Sequence, residues 1–251
     1  MAWVVDLDGV VWLGDRAVPG SAQAVEALRR SGQRVVFLTN NSGLPVGDVV
    51  AKLGAVGIEA GAEDVITSAQ AAAQLVSPGE RVLACAVDGV REAVAKRGAR
   101  LVEAGPADAV VVGWHPSFDY RELTAAARAV ADGARLIATN EDPTYPTPDG
   151  PIPGAGAILA AVATAAQAKP VVAGKPHQPV VDLVRSRLGG VEMVVGDRPS
   201  TDGLLARRLG ASFGLVLTGV VRPGHGPLDP EPDVEAADLA ALVEMKVAGP
   251  G

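Results

Sequence analysis

Ala2-Trp3-Val4-Val5 runs straight into Asp6-Leu7-Asp8-Gly9-Val10, so an apolar, β-branched segment ends on two acids two residues apart. A run of this kind reads as a strand covered on both faces, and in open parallel sheets chemistry gathers beyond the carboxyl ends of the strands. On an extended backbone, positions i and i+2 share a side, so Asp6 and Asp8 point toward one small volume. Their repulsion has to be offset by a cation or a proton. Taken alone, the segment also reads as a strand ending in an Asx-type turn at Gly9.

Outward from that strand, strand-like and helix-like patterns alternate, the mark of an α/β sheet with crossover helices. Ser21 caps a helix over 22–30 that stops at Gly32, and the strand Arg34-Val35-Val36-Phe37-Leu38 ends in Thr39-Asn40-Asn41-Ser42. Helices are expected over 46–56 and from Thr67-Ser68 to Val76, where Ser77-Pro78-Gly79 breaks the pattern. From Arg81 a second alternation begins: strands at 82–86, 109–112 and 135–138, helices at 89–96, 120–131 and 155–168. It reads as an inserted domain. The first alternation resumes with strand Val171-Val172 and Gly174-Lys175-Pro176, a helix to Leu188, strand 191–195, Gly196-Asp197, a helix to Leu209 and strand 212–217. A Pro/Gly-rich surface loop over 221–232 precedes a last helix over 236–245. The expected boundaries are therefore a core of 1–79 and 173–251 around an insert of 80–172.

Composition removes whole classes of function. A chain of 251 residues with 48% hydrophobic and 20% charged residues has ample material for a core. Its net charge of −7 disfavours nucleic acid or an anionic membrane as partner. Cys85 stands alone in an apolar run, which excludes an internal disulfide and a cysteine-based zinc site and suggests a reducing compartment. The first strand lacks a basic leader, and no later apolar run is long enough for a bilayer, so the expected location is cytoplasmic. His115, His177 and His225 show no ligand spacing, Gly174-Lys175 lacks the upstream glycines of a P-loop, and Trp3, Trp12 and Trp114 read as packing residues.

The polar groups at the strand ends form one set: Asp6 and Asp8, then Thr39, then Lys175, then Asp197 with Asp202. Each alone has a structural explanation as a cap, a turn or a solvated charge. Together at one sheet edge they offer carboxylates for a hard divalent cation, and a hydroxyl and an ammonium for a doubly charged anion, the parts phosphoryl transfer needs.

In these stretches the chain resembles the haloacid dehalogenase superfamily, and within it the type IIA group of capped phosphatases that includes p-nitrophenylphosphatase-like, pyridoxal phosphatase and phosphoglycolate phosphatase-like proteins. Asp6-Leu7-Asp8-Gly9-Val10 matches the first family motif, Thr39-Asn40-Asn41 the second, Gly174-Lys175-Pro176 the third, and Gly196-Asp197-Arg198-Pro199-Ser200-Thr201-Asp202 the fourth. Gly203 stands where Ile is often found. The resemblance implies a Rossmann-like doubly wound parallel sheet with an α/β cap inserted between the second and third motifs. It also implies a Mg²⁺-dependent phosphatase of small phosphorylated metabolites. Asp6 is then the nucleophile, forming an aspartyl-phosphate, and Asp8 the acid and base. Mg²⁺ is held by Asp6, Asp197 and the backbone carbonyl of Asp8, with Asp202 one sphere further out. Thr39 and the amide of Asn40 hold phosphate oxygens, Lys175 balances the negative charge while positioning Asp6, and Asn41 joins the substrate-binding set as a contact with the cap. The long Pro-rich loop 139–151 is expected to face the substrate, with Tyr145 as the specificity residue. Capped relatives are often dimers, so a homodimer is compatible with the resemblance. Two other classes share parts of this pattern: a phospho-acceptor signalling module of the receiver type, and a phosphate-ester binding protein without turnover. The former needs neither Asp8 as an acid nor a cap.

Overall fold

A computed structural model describes residues 2–147 and 150–247. The chain divides into two compact units, one of Met1–Thr39, Val49–Ile66 and Val184–Gly251, the other of Asn40–Asp48 and Thr67–Leu183.

The first unit is organised by the strand Ala2–Val5, every residue of which is buried. It pairs in parallel with Arg34–Thr39 on one side and Val191–Gly196 on the other. The sheet order is Val234–Ala236, Ser212–Val216, Val191–Gly196, Ala2–Val5, Arg34–Thr39, Val65–Thr67. The chain thus leaves its first strand toward one edge and returns on the opposite side, which puts the switch in strand order beside Ala2–Val5 and opens a crevice at its carboxyl end. Phe37, Phe213, Leu28, Leu53, Leu205 and Leu215 fill the interior.

Local signals explain most boundaries, with some differences. The helix Ser21–Arg30 begins as expected, yet Ser21 is its first residue and not its cap. Gly20 caps it at φ 82, and the Ser21 hydroxyl donates to the carbonyls of Val18 and Val11, at 2.5 and 3.2 Å. After Gly196 the chain enters a π-helical turn, Pro199–Gly203, before the α-helix Leu204–Leu209. Gly203 is dictated by packing there, because a Cβ would stand 2.7 Å from Pro230 Cγ and 3.0 Å from Phe213. A strand at Val234–Ala236 follows the Pro/Gly-rich loop, and the last helix starts later than expected, at Leu239.

The second unit carries a five-stranded sheet in the order Val171–Val172, Arg135–Ala138, Ala109–Val112, Arg81–Cys85, Arg100–Val102. Val171–Val172 pairs with Ile137 and Ala138, so it belongs to this sheet and does not resume the first alternation. Leu83, Cys85, Val110, Val112, Val130, Leu136 and Val162 form the core. The helix Tyr120–Ala131 occupies the expected span because Asp119 and Glu122 cap it reciprocally, each accepting from the other's amide. The strands Thr144–Thr147 and Gly150–Pro153 pair as an antiparallel ribbon inside the long loop, where sequence predicted only irregular chain. Pro148 and Asp149 of that loop lie outside the described residues.

At the start of this sheet the Asp108 carboxylate accepts two hydrogen bonds from the Arg81 guanidinium, at 2.8 and 3.2 Å, and one from the Arg81 amide at 2.7 Å. These bonds, the guanidinium's first, hold the Asp108 carboxyl down at about 2. A carboxyl lowered by folding adds stability above its unfolded value near 4, and that gain is lost as pH falls through the folded value. The melting temperature of Asp108→Asn should therefore lie below that of the parent by a constant gap above about pH 5, and the gap should close between about pH 4 and 2. A gap that stays constant down to pH 2 contradicts the ion pair's contribution.

Candidate functional site

Asp6 follows the last residue of the central strand, and its amide donates to Val195 O at 2.9 Å, continuing the ladder one step past the strand end. Asp197 follows the neighbouring strand Val191–Gly196, and Thr39 closes the strand on the other side. Three adjacent parallel strands therefore deliver a polar residue from their carboxyl ends to one edge of the sheet.

The carboxylates of Asp6, Asp197 and Asp202 each offer an oxygen, and these oxygens lie within 4.8 Å of one another. All three residues are buried, at 7, 5 and 1% exposure, so water does not dissipate their repulsion. Glycines make the packing this close. A Cβ on Gly9 would stand 2.5 Å from Asp197 Oδ2, one on Gly219 1.8 Å from the same atom, and one on Gly196 2.1 Å from Asp202 Cγ. Gly9 also sits at φ +89, a left-handed conformation that favours glycine. Backbone amides answer part of the charge: Val220 donates to Asp197 Oδ2 at 2.6 Å and Arg198 to Asp202 Oδ2 at 3.2 Å. The Thr218 hydroxyl donates to Gly9 O at 2.5 Å and fastens the loop that carries Gly219 to the first motif.

Asp8 is half-buried. Its Oδ1 accepts from the indole of Trp12 at 3.0 Å, and its Oδ2 from the hydroxyl of Thr39 at 3.2 Å. Three buried carboxylates whose oxygens converge within 4.8 Å fit a hard divalent cation, and Mg²⁺ in particular needs few protein ligands because it retains waters. Asp202, expected one sphere out, lies in the same cluster as Asp6 and Asp197.

The second unit gathers the other predicted residues. Lys175 is 4% exposed. Asn40 Oδ1 accepts from the Lys175 amide at 2.8 Å, and Asn40 Nδ2 donates to Lys175 O at 3.2 Å and to Asp142 Oδ2 at 3.1 Å. The second and third motifs are thus tied by one amide side chain. Gly174 permits the approach, since a Cβ there would meet Thr139 O at 2.4 Å and Asn40 Oδ1 at 2.5 Å. The amide Nδ2 of Asn41 lies 3.4 Å from the Tyr145 hydroxyl, and the Tyr145 ring stands 5.9 Å from that of Trp114 at 42°. Tyr145 is half-buried and makes contacts beyond the prolines of its own loop. Cys85 is buried in the core of this unit, where desolvation pushes its thiol up to about 12.

Sequence reasoning did not find Gly219, the Val220 amide, or the polar use of Trp12. A glycine just beyond the strand Ser212–Val216 was the available signal for the first two.

Residues 3–100 match the family model for haloacid dehalogenase-like hydrolases, and residues 172–242 match a second model described as HAD-hydrolase-like. The chain is 39% identical over 225 residues to the D-glycerol 3-phosphate phosphatase of Mycobacterium tuberculosis, covering 86% of this chain and 63% of that protein. It is 34% identical over 211 residues to the acid sugar phosphatase of Staphylococcus saprophyticus, covering 80% of each. Among solved structures, p-nitrophenyl phosphatase from Archaeoglobus fulgidus superposes with a TM-score of 0.90 at 30% identity, over 97% of this chain and 98% of that one. The glycerol phosphate phosphatase of Mycobacterium tuberculosis in complex with magnesium gives 0.87 at 36% identity, over 96 and 75%. With four motifs at the strand ends and these matches across both parts of the sequence, the chain belongs to the haloacid dehalogenase-like hydrolases, on their type IIA phosphatase branch.

Proposed function

We propose that the protein is a Mg²⁺-dependent phosphatase of small phosphorylated metabolites, working through an aspartyl-phosphate. The observation that carries this reading is the buried set of Asp6, Asp197 and Asp202 at the carboxyl ends of the central strands, with Asp8 hydrogen-bonded beside it.

Asp6 attacks phosphorus as its carboxylate, a nucleophile that needs no general base. As its oxygen bonds to phosphorus, the ester P–O bond breaks and the departing oxygen takes a proton from Asp8. Water then attacks, Asp8 accepts its proton, and the P–O bond to Asp6 breaks, returning both carboxyls to their starting states. The held orientation of Asp8 favours both transfers, since the Trp12 indole engages Oδ1 and leaves Oδ2, beside the Thr39 hydroxyl, to carry the proton once that hydroxyl turns to phosphate. Thr39 and the Asn40 amide are assigned to phosphate oxygens, and Lys175 to their charge. Asp6, Asp197 and the carbonyl of Asp8 would hold Mg²⁺, with Asp202 completing the acidic set, and the bound cation supplies a Lewis acid that draws charge from the phosphoryl group.

We divide the chain functionally into a core of 1–79 and 173–251 and a cap of 80–172, with Tyr145 on the cap as the residue that selects the organic part of the substrate. No helix among the described residues is long and apolar enough to cross a membrane. A cytoplasmic protein, acting on metabolites and not on nucleic acid or membranes, and able to form a homodimer, fits this reading.

The test is a panel of small phosphate monoesters assayed with and without Mg²⁺. Excess chelator should abolish hydrolysis, Ca²⁺ should substitute poorly, and Asp197→Asn should raise the Mg²⁺ concentration for half-activity by more than about tenfold. Full activity in chelator refutes the proposal. On the same panel Tyr145→Ala should reorder the substrates while leaving the Mg²⁺ requirement in place, and an unaltered ranking removes Tyr145 from specificity.

A further inference from the structure

We propose that Trp12 is a positioning residue for Asp8, held in turn by Lys52. This rests on the reading of Asp8 as the acid above. A carboxylate at the end of a short side chain rotates in a broad, shallow well, so its proton is delivered along one line only if neighbours fix it. Two donors do so from opposite oxygens, the Trp12 indole at 3.0 Å from Oδ1 and the Thr39 hydroxyl at 3.2 Å from Oδ2.

Backbone geometry brings Trp12 there. Gly9 turns the chain at φ +89, its amide donates to Trp12 O at 2.7 Å, and the Trp12 amide donates to Leu7 O at 3.1 Å. The chain therefore doubles back so that Trp12 meets Asp8 across an isolated bridge. The indole is buried, where its N–H would be costly without an acceptor, and Asp8 supplies one.

The ring is pinned on its face. Lys52, from the helix Val46–Ala55, places its ammonium 4.6 Å from the ring centroid. The same ammonium donates to Gly14 O at 2.7 Å and pairs with Asp15 at 3.4 Å, at the turn between the short strands Trp12–Leu13 and Arg16–Ala17. Helix, cation, indole and carboxylate form one connected series. A tryptophan that merely packed would need neither the N–H directed at Asp8 nor the cation over its ring.

Trp12→Phe keeps the ring and the cation contact and deletes the N–H. The experiment compares kcat/KM for the best alkyl phosphate in the monoester panel with that for p-nitrophenyl phosphate, because kcat/KM covers departure of the leaving group and only the alkoxide needs the proton. For Trp12→Phe the alkyl ester should lose about tenfold and the nitrophenyl ester less than about twofold, with inhibition by inorganic phosphate unchanged. Lys52→Met, which removes the cation from the Trp12 ring, should shift the same ratio by about threefold. Equal losses on both esters, or no loss, in Trp12→Phe overturn the proposal. Should Trp12→Phe not fold, an unshifted ratio in Lys52→Met overturns it instead. Asp8→Asn, run in parallel, separates the two levels. No leaving-group dependence there refutes the acid reading itself, whereas dependence in Asp8→Asn without it in Trp12→Phe refutes only the role of Trp12.

Discussion

Asp6→Asn should lose turnover by at least about four orders of magnitude while the protein melts at a higher temperature. An amide oxygen carries no full charge and is a poor nucleophile toward phosphorus, so no covalent intermediate forms. The same change removes one of three buried carboxylates whose oxygens lie within 4.8 Å, which relieves repulsion inside the cluster. Catalysis and stability should therefore move in opposite directions, a separation that a merely misfolded variant does not show. Acid-quenched enzyme incubated with labelled substrate should carry hydroxylamine-sensitive phosphate in the parent and none in the variant. Covalent phosphate on Asp6→Asn would place the nucleophile elsewhere.

Gly219→Ala should also impair the enzyme, although the residue bears no functional group. A methyl there would lie 1.8 Å from Asp197 Oδ2 and 2.5 Å from its Cβ, so either the loop or the carboxylate has to move. Overpacking of this kind costs about 1–3 kcal/mol of stability. Displacing Asp197 disrupts the cation-binding set as well, and kcat should fall by about a hundredfold with a raised Mg²⁺ requirement. Gly226→Ala is the control, in a loop position where a Cβ meets nothing within 4 Å, and it should behave as the parent in both melting and turnover. Comparable damage from the two substitutions would remove Gly219 from the account.

What the sequence disclosed follows from how each element is stabilised. The central strand was legible because it is buried on both faces and so consists of apolar residues alone, and Tyr120–Ala131 because its caps are local. The ribbon at 144–153 was not, since Pro146 pairs opposite Pro151 and prolines ordinarily argue against strands. A two-stranded ribbon has only edges, and edges tolerate them. Arg100–Val102 and Val234–Ala236 were too short to show an alternation. The acidic residues of the site could be read because Asp6, Asp8 and Asp197 follow closely on strand ends and Asp202 completes the fourth motif. Their supports could not, because the partners are distant in sequence: Val220 donates to Asp197, and Asn40 reaches the backbone of Lys175. Nothing in the local pattern around Trp12 separates an indole that fills space from one that directs a hydrogen bond.

The pairing of Ala2–Val5 also sets an order on how the molecule comes into being. Its partners on one side follow soon, beginning at Arg34, but on the other they begin only at Val191. All five strands of the second sheet, by contrast, lie between Arg81 and Val172. A chain emerging from the ribosome can complete that later-encoded sheet while its first strand still waits with one edge unpaired, and such long-range closure is the slow step in sheet formation. A chain released before Val191 carries Asp6 on an open-edged apolar strand, unable to assemble the acidic cluster and exposed to pairing with other chains.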